Sequence, residues 1–355
     1  MAAFTEGSMI HEPEHPDVSS LLSYDYSLSH SRATAIAKDI LTEVMQYRRV
    51  SGPKTLCATS PCQKCLAPHL SKVTATIMRG QPVLFVLPAF PGKSPNPAKV
   101  LGPLPDMAEK RALEFLHHLC NRIKQYYSPG AKIILCSDGR VFSDAVGMRD
   151  EDVTAYQDEL FKIISESNLT SISTFNLDDF YEGVSFDQMR DRLMEQHGET
   201  VDALRAAVGR GGKDPNCSED EKEAHRLYCG ITRFLVEDAM FPGQKKSRTA
   251  LQKECRNRAY EVIRRSKAWG ELIETRFSNA VRLSIHPQSC GAKKFGIRLI
   301  DPDGWLTPWH GVAVDVGGHF VLLKRAQAEA LGAELVNIEG RPSHYVLRSA
   351  TRHEA

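Results

Sequence analysis

No apolar run in the 355 residues approaches the roughly 20 needed to cross a bilayer, so a membrane-spanning protein is not expected. Charge of one sign is also missing. The formal net charge is +1, and a nucleic-acid or acidic-membrane role would need a local basic patch. The opening Met-Ala-Ala-Phe-Thr-Glu-Gly has neither the basic nor the apolar region of a signal peptide, and the expectation is a cytoplasmic protein. The nine cysteines are an odd set scattered through a large chain, which favours thiols or metal ligands over a disulfide framework. Internal repeats and low-complexity segments are absent too. What is present is a composition, 42% hydrophobic, able to bury a large core in one large α/β domain or two smaller ones.

Residues 1–28 are polar and aperiodic and read as a flexible lead-in to a single α/β domain over 29–355. Ile36, Ile40, Leu41, Val44 and Met45 share one face of a helix over 33–47. A strand at 83–87 follows, then a helix to about Tyr127 opened by a capping box of Asp106 and Glu109. A second strand from about 133, a helix over 150–167 and a third strand at 172–175 complete a β-α-β-α-β order. That order predicts a Rossmann-like, mostly parallel sheet with helices on both faces. From about 184 to 270 the pattern is almost wholly helical, broken by a glycine-rich stretch at 209–216. It reads as a helical insertion, a possible lid, with a second capping box at Ser218 and Glu221. Strand signals return at 280–285, 296–300, 312–316 and 319–323 and are expected to add antiparallel strands to the sheet.

Each of the first three strands runs into a loop of charged and hydroxyl side chains, and ligands in open α/β sheets bind outside the carboxyl ends of the strands. Lys93 and Ser94, stiffened by Pro91, Pro95 and Pro97, suit a phosphate cradle, with Asn96 and Lys99 orienting the loop. In Ser137-Asp-Gly-Arg140, Arg140 offers a fork for phosphate, while Asp138 and Asp144 either handle protons or merely pair with Arg140 to order the loop. Arg282, Ser284 and His286 alternate, which would place all three on one sheet face, and Lys293 or Lys294 could close over an anion. His286 is the best single proton carrier, unless a main-chain carbonyl satisfies its ring. Trp309 could wall a pocket or belong to the core, and His310 is a second proton carrier. Together these residues suit acid–base chemistry on a phosphorylated substrate.

Cys57, Cys62, Cys65 and His69 fall within thirteen residues and fit a Cys3His structural zinc, although buried thiols near a turn are the alternative. The basic tract at 244–258 spreads its charges around a helix and reads as a solvated face.

The strings Leu87-Pro-Ala-Phe-Pro-Gly-Lys-Ser-Pro-Asn96, Lys99-Val-Leu-Gly-Pro-Leu-Pro-Asp-Met107, Ser137-Asp-Gly-Arg-Val-Phe-Ser-Asp144, Arg282-Leu-Ser-Ile-His-Pro287 and Thr307-Pro-Trp-His310 resemble those of the PvcA-like isocyanide (isonitrile) synthases, the pyoverdine and dityrosine biosynthesis family, over about residues 33–325. The resemblance implies an enzyme that converts the α-amine of L-tyrosine or L-tryptophan to an isocyanide, with ribulose 5-phosphate as carbon donor and no redox cofactor. Tyrosine is favoured, and the product is expected to pass to a downstream biosynthetic enzyme. On that chemistry Asp138, Asp144, His286 and His310 would move protons or hold the amine. Lys93, Ser94, Arg140, Arg282, Ser284, Lys294 and Trp309 would bind the substrates. A sugar-phosphate aldolase or transferase would share the same loops and is the main rival. A zinc-bearing nucleic-acid adaptor is disfavoured by the near-neutral charge.

Overall fold

The computed structural model describes residues 29–51, 62–300, 304 and 306–348; the lead-in and Cys57 lie outside them. Strand β1 (Val83–Leu87) is apolar at every position, as a strand covered on both faces must be. Val83, Phe85 and Leu87 enter one apolar cluster and Val86 the other. The same alternation puts Ile133 and Leu135 of β2 (Ala131–Cys136) on the first side and Cys136 on the second. With β3 (Ile172–Phe175), β4 (Val281–Ser284) and β5 (Phe295–Gly296), they form a five-stranded sheet in the order β3-β2-β1-β4-β5. Every pairing in it is parallel.

One face is covered by α1 (His30–Met45), α2 (Gln63–Met78), α3 (Met107–Ile123) and α5 (Asp150–Glu166). Helix α1 buries Ile40, Leu41, Val44 and Met45 as its periodicity requires. The capping box of Asp106 and Glu109 opens α3. The other face is covered by α4 (Gly139–Val146), α6 (Phe186–His197) and the long α9 (Arg248–Arg276). Trp269 of α9 is buried there and donates from Nε1 to the Cys136 carbonyl at 3.2 Å. Helices α7 (Val201–Lys213) and α8 (Glu219–Ala239), the latter capped by Ser218 and Glu221, pack against α9 through Leu204, Val208, Ala224 and Ile263.

Three local expectations are corrected. The break read at 209–216 falls later than expected: α7 runs through its glycines to Lys213, and the chain leaves the helix only over 214–218. A Cβ on Gly211 would lie 2.0 Å from the Glu221 carbonyl oxygen, and one on Gly212 would lie 2.5 Å from the His225 ring, so these glycines permit close α7–α8 packing. Strands β4 and β5 are parallel rather than antiparallel additions: the helical crossover after β3 returns the chain to the starting end of the sheet for β4, and the loop over 285–294 does so again for β5. Strands β6 (Val312–Val316) and β7 (His319–Leu323) do not extend that sheet. They form a hairpin turned at Gly317 and Gly318, both at positive φ, within a second, mixed sheet. It is completed by β8 (Glu334–Ile338) and β9 (Arg341–Val346), in the order β7-β6-β9-β8, with α10 (Arg325–Ala330) connecting β7 to β8. Among the described residues no helix is long and apolar enough to cross a membrane.

Candidate active site

From β1 the chain winds outward through β2 and β3, and the other half of the sheet begins at β4. The switch point between β1 and β4, at the carboxyl edge, is where a sheet of this kind places its ligand crevice. Its rim is held under strain. Phe90, fully buried, adopts φ 60°, which costs a non-glycine residue of order 1–3 kcal/mol. The Phe90 carbonyl accepts from Ser137 Oγ and Gln157 Nε2, each at 2.8 Å, and these bonds hold the conformation. A Cβ on Gly139 would lie 1.8 Å from the Pro91 carbonyl oxygen. Only glycine lets the loops after β1 and β2 touch, and that contact sets where Asp138 stands.

Asp138 is the N-cap residue of α4 but makes no capping hydrogen bond. Its Oδ1 is buried without a hydrogen-bond partner among the described residues. Burial pushes its carboxyl up to about 7, partly offset by Arg282 on β4. Arg282 in turn has a buried guanidinium nitrogen without a partner among the described residues, and burial lowers its affinity for a proton. A half-ionised carboxyl and an incompletely satisfied guanidinium in each other's field are poised for a polar ligand. Beyond β4, His286 and Lys294 are both open to solvent, yet the surrounding protein depresses the pKa of each. Desolvation is the larger cause; Arg49 and Lys294 add to it for His286, and Arg282 for Lys294. His310 lies in the 3-10 turn Pro308–His310, with Nδ1 buried and without a partner among the described residues. Burial, then Lys99, lowers its pKa to about 3, so its ring is neutral.

Several residues expected in the crevice are engaged elsewhere. Lys93 is fully buried, bonded to Asp106 at 2.9 Å, Glu109 at 2.8 Å and the Pro308 carbonyl at 3.1 Å. Although burial opposes it, the two carboxylates keep Lys93 charged, and it ties the β1 loop to the capping box of α3. Ser94 donates to Asp238 at 2.8 Å and Lys99 binds the same carboxylate at 2.5 Å, fastening the loop to the end of α8. The phosphate cradle read at Lys93 and Ser94 is thus an anchor for neighbouring helices in this structure. Arg140 pairs with Asp178 at 3.1 Å, bonds Thr154 and stacks on Phe186, 4.5 Å from the ring centre. Asp144 does not meet Arg140; it pairs with Arg265 of α9 at 2.6 Å and Arg190 of α6 at 3.6 Å.

Trp309 is core, 5.2 Å from Phe90 between ring centres and almost wholly buried. Ser284 accepts from the His286 amide at 3.1 Å and so shapes the turn that carries the imidazole. The alternation read through His286 ends at Ser284, where β4 ends, and His286 lies in a bend. Arg49, which no motif marked, donates to the Ile285 and Gly304 carbonyls.

Two surface hollows measure about 580 and 480 Å³. The first is confined to α7 and the residues just after it. The second is lined by Asp150, Glu151, Asp158 and Asp187 together with Thr154 and Phe186, which also hold Arg140; Asp150 and Asp187 are paired with Arg190. The thiols Cys62 and Cys65 converge, not with His69, but with Cys290. His69 instead stacks on Phe295 at 4.1 Å, its ring kept neutral by burial, which lowers its pKa to about 4.

A doubly wound parallel sheet whose carboxyl edge gathers a carboxyl of perturbed pKa, two imidazoles and two cations is the arrangement of an α/β enzyme. The chain belongs to the pyoverdine/dityrosine biosynthesis protein family, the PvcA-like isocyanide synthases, whose profile matches residues 73–336. It is 45% identical over 332 residues to the L-tyrosine isonitrile synthase of Pseudomonas aeruginosa, covering 90% of this chain and 98% of that one. It is 44% identical over 316 residues to L-tryptophan isonitrile synthase AmbI2 of Fischerella ambigua, covering 89% and 93%. The crystal structure of PvcA from Pseudomonas aeruginosa superposes with a TM-score of 0.81 at 45% identity, covering 88% of this chain and all of that one.

Proposed function

We propose that this enzyme converts the α-amine of an aromatic amino acid, tyrosine in preference to tryptophan, into an isocyanide, with ribulose 5-phosphate as the carbon donor. The observation that carries the reading is nearly full-length similarity, at 44–45% identity, to enzymes named L-tyrosine and L-tryptophan isonitrile synthases. The amine adds to the C2 ketone of the sugar phosphate and loses water to give an imine. Tautomerisation, phosphate loss and carbon–carbon cleavage then leave C2 as the isocyanide carbon. Imine formation needs a free amine, and a carboxyl near pKa 7 takes the ammonium proton at neutral pH, which is the role given to Asp138. His286 relays protons during tautomerisation, with His310 as the second imidazole. Arg282 and Lys294 supply positive charge for the departing phosphate.

Arg140, Lys93, Ser94, Ser284 and Trp309 act by holding the loops, and Asp144 by holding α4 to α9. The test is mass spectrometry of the purified protein with tyrosine or tryptophan and ribulose 5-phosphate labelled with ¹³C at C2. The expected product is the amino acid plus one labelled carbon and minus two hydrogens. An unlabelled product, or cleavage of the sugar without an amino acid, overturns the reading in favour of an aldolase-type activity.

A further inference from the structure

Cys62 and Cys65 stand at the start of α2, as its N-cap and in its first turn, so their side chains share one helix face. Cys290 comes from the far end of the chain, in the tight turn after β4. Its sulfur lies 3.4 Å from both Cys62 Sγ and Cys65 Sγ, and all three sulfurs fall within 4.8 Å of one another. A disulfide needs about 2.05 Å. Three sulfurs around one tetrahedral zinc, each about 2.3 Å from it, lie about 3.8 Å apart.

The surroundings suit thiolates. The amino end of a helix favours negative charge. Lys64, between the two helix cysteines, lays its stem over Gly291, where a Cβ would meet its Cε at 3.0 Å. Gly291 at φ 82° is the bend that brings Cys290 back to α2.

We propose that Cys62, Cys65 and Cys290 bind a structural zinc ion as thiolates, releasing their protons, with a further protein ligand or water in the fourth position. The site clamps α2 to the loop between β4 and β5. That loop carries His286 and Lys294, so the metal holds one wall of the crevice without entering the chemistry. The assignment is independent of the isocyanide reaction and is tested without it.

Full-length protein, purified reduced and without chelator, should contain about one zinc per chain, released in step with modification of thiols by a mercurial. Cys290→Ser should lose the zinc, whereas Cys229→Ser, on α8 away from the cluster, should keep it. Should Cys290→Ser fail to fold, cobalt(II) added to apo wild-type protein should still produce thiolate-to-cobalt charge-transfer absorption. Metal removal should speed amide exchange at residues 285–294 relative to α9. A folded, reduced protein that holds no zinc and gives no cobalt band overturns the proposal. So does an intact mass two hydrogens light from a disulfide among these cysteines.

Discussion

At the scale of single residues, Asp138 sets stability against activity. Its carboxyl binds a proton more tightly folded, at about pH 7, than in the unfolded chain, at about 3.9. Its contribution to stability therefore declines as pH rises from about 4 through 7, and the cost is complete above 7. Asp138→Asn imitates the protonated state. It should raise stability at pH 8 by about 2 kcal/mol, less than the full shift implies because the crevice is open to water, and leave it unchanged at pH 4. The same variant should lose roughly 10²–10⁴ in turnover, together with the rise in wild-type rate near pH 7. Paired melts at the two pH values decide the first point, and a pH–rate profile the second. His286→Gln keeps a hydrogen bond but cannot cycle a proton, and turnover should drop by roughly 10²–10⁴ with substrate binding retained. A variant within about threefold of wild type would move the proton relay to His310.

At the scale of elements, the loop after β1 acts as a strap. Lys93 enters the capping box of α3, where Asp106 and Glu109 would otherwise be buried carboxylates with no counter-charge. Burial already raises Glu109 to about 7 with Lys93 in place. Removing one partner from a buried ion cluster costs about 3–5 kcal/mol. Lys93→Met should therefore destabilise by that amount in denaturant titration. The folded fraction at low temperature should keep its KM for the sugar phosphate. A selective rise in that KM, with stability unchanged, would return Lys93 to the phosphate site.

At the scale of the whole molecule, the helical insertion is joined to the sheet at both ends. Helix α9 forms part of the core, while the end of α8 is fastened through Asp238 to Ser94 and Lys99. Next to it, Glu237 pairs with Lys324, which leads into α10. Among the described residues, Asp238→Ala leaves Lys99 the weaker Glu237 contact at 3.4 Å and its place over the Phe234 ring. It should lower stability by about 2–4 kcal/mol and expose the α8–α9 connection, residues 240–247, to limited proteolysis. Cleavage rates equal to wild type would show that α8 is held by its apolar face alone.

The sequence by itself determined what depends on neighbours a few residues apart. The apolar run of β1, the face of α1 and both capping boxes are written at spacings of one to four residues, and each formed where its pattern required. The carboxyl-edge loops were legible for the same reason, since strand ends mark where a ligand can reach. Which loop residues remain for a ligand was a matter of long-range pairing. Asp238 reaches Ser94 from 144 positions away and turns a cradle into an anchor. Arg265 reaches Asp144 across 121 positions and removes it from Arg140. Cys290 meets Cys62 across 228 positions, replacing a histidine that spacing alone had favoured. A charged group takes whichever partner the packed chain brings within a few ångströms, because burying it alone costs several kcal/mol. Tertiary structure alone decided that choice.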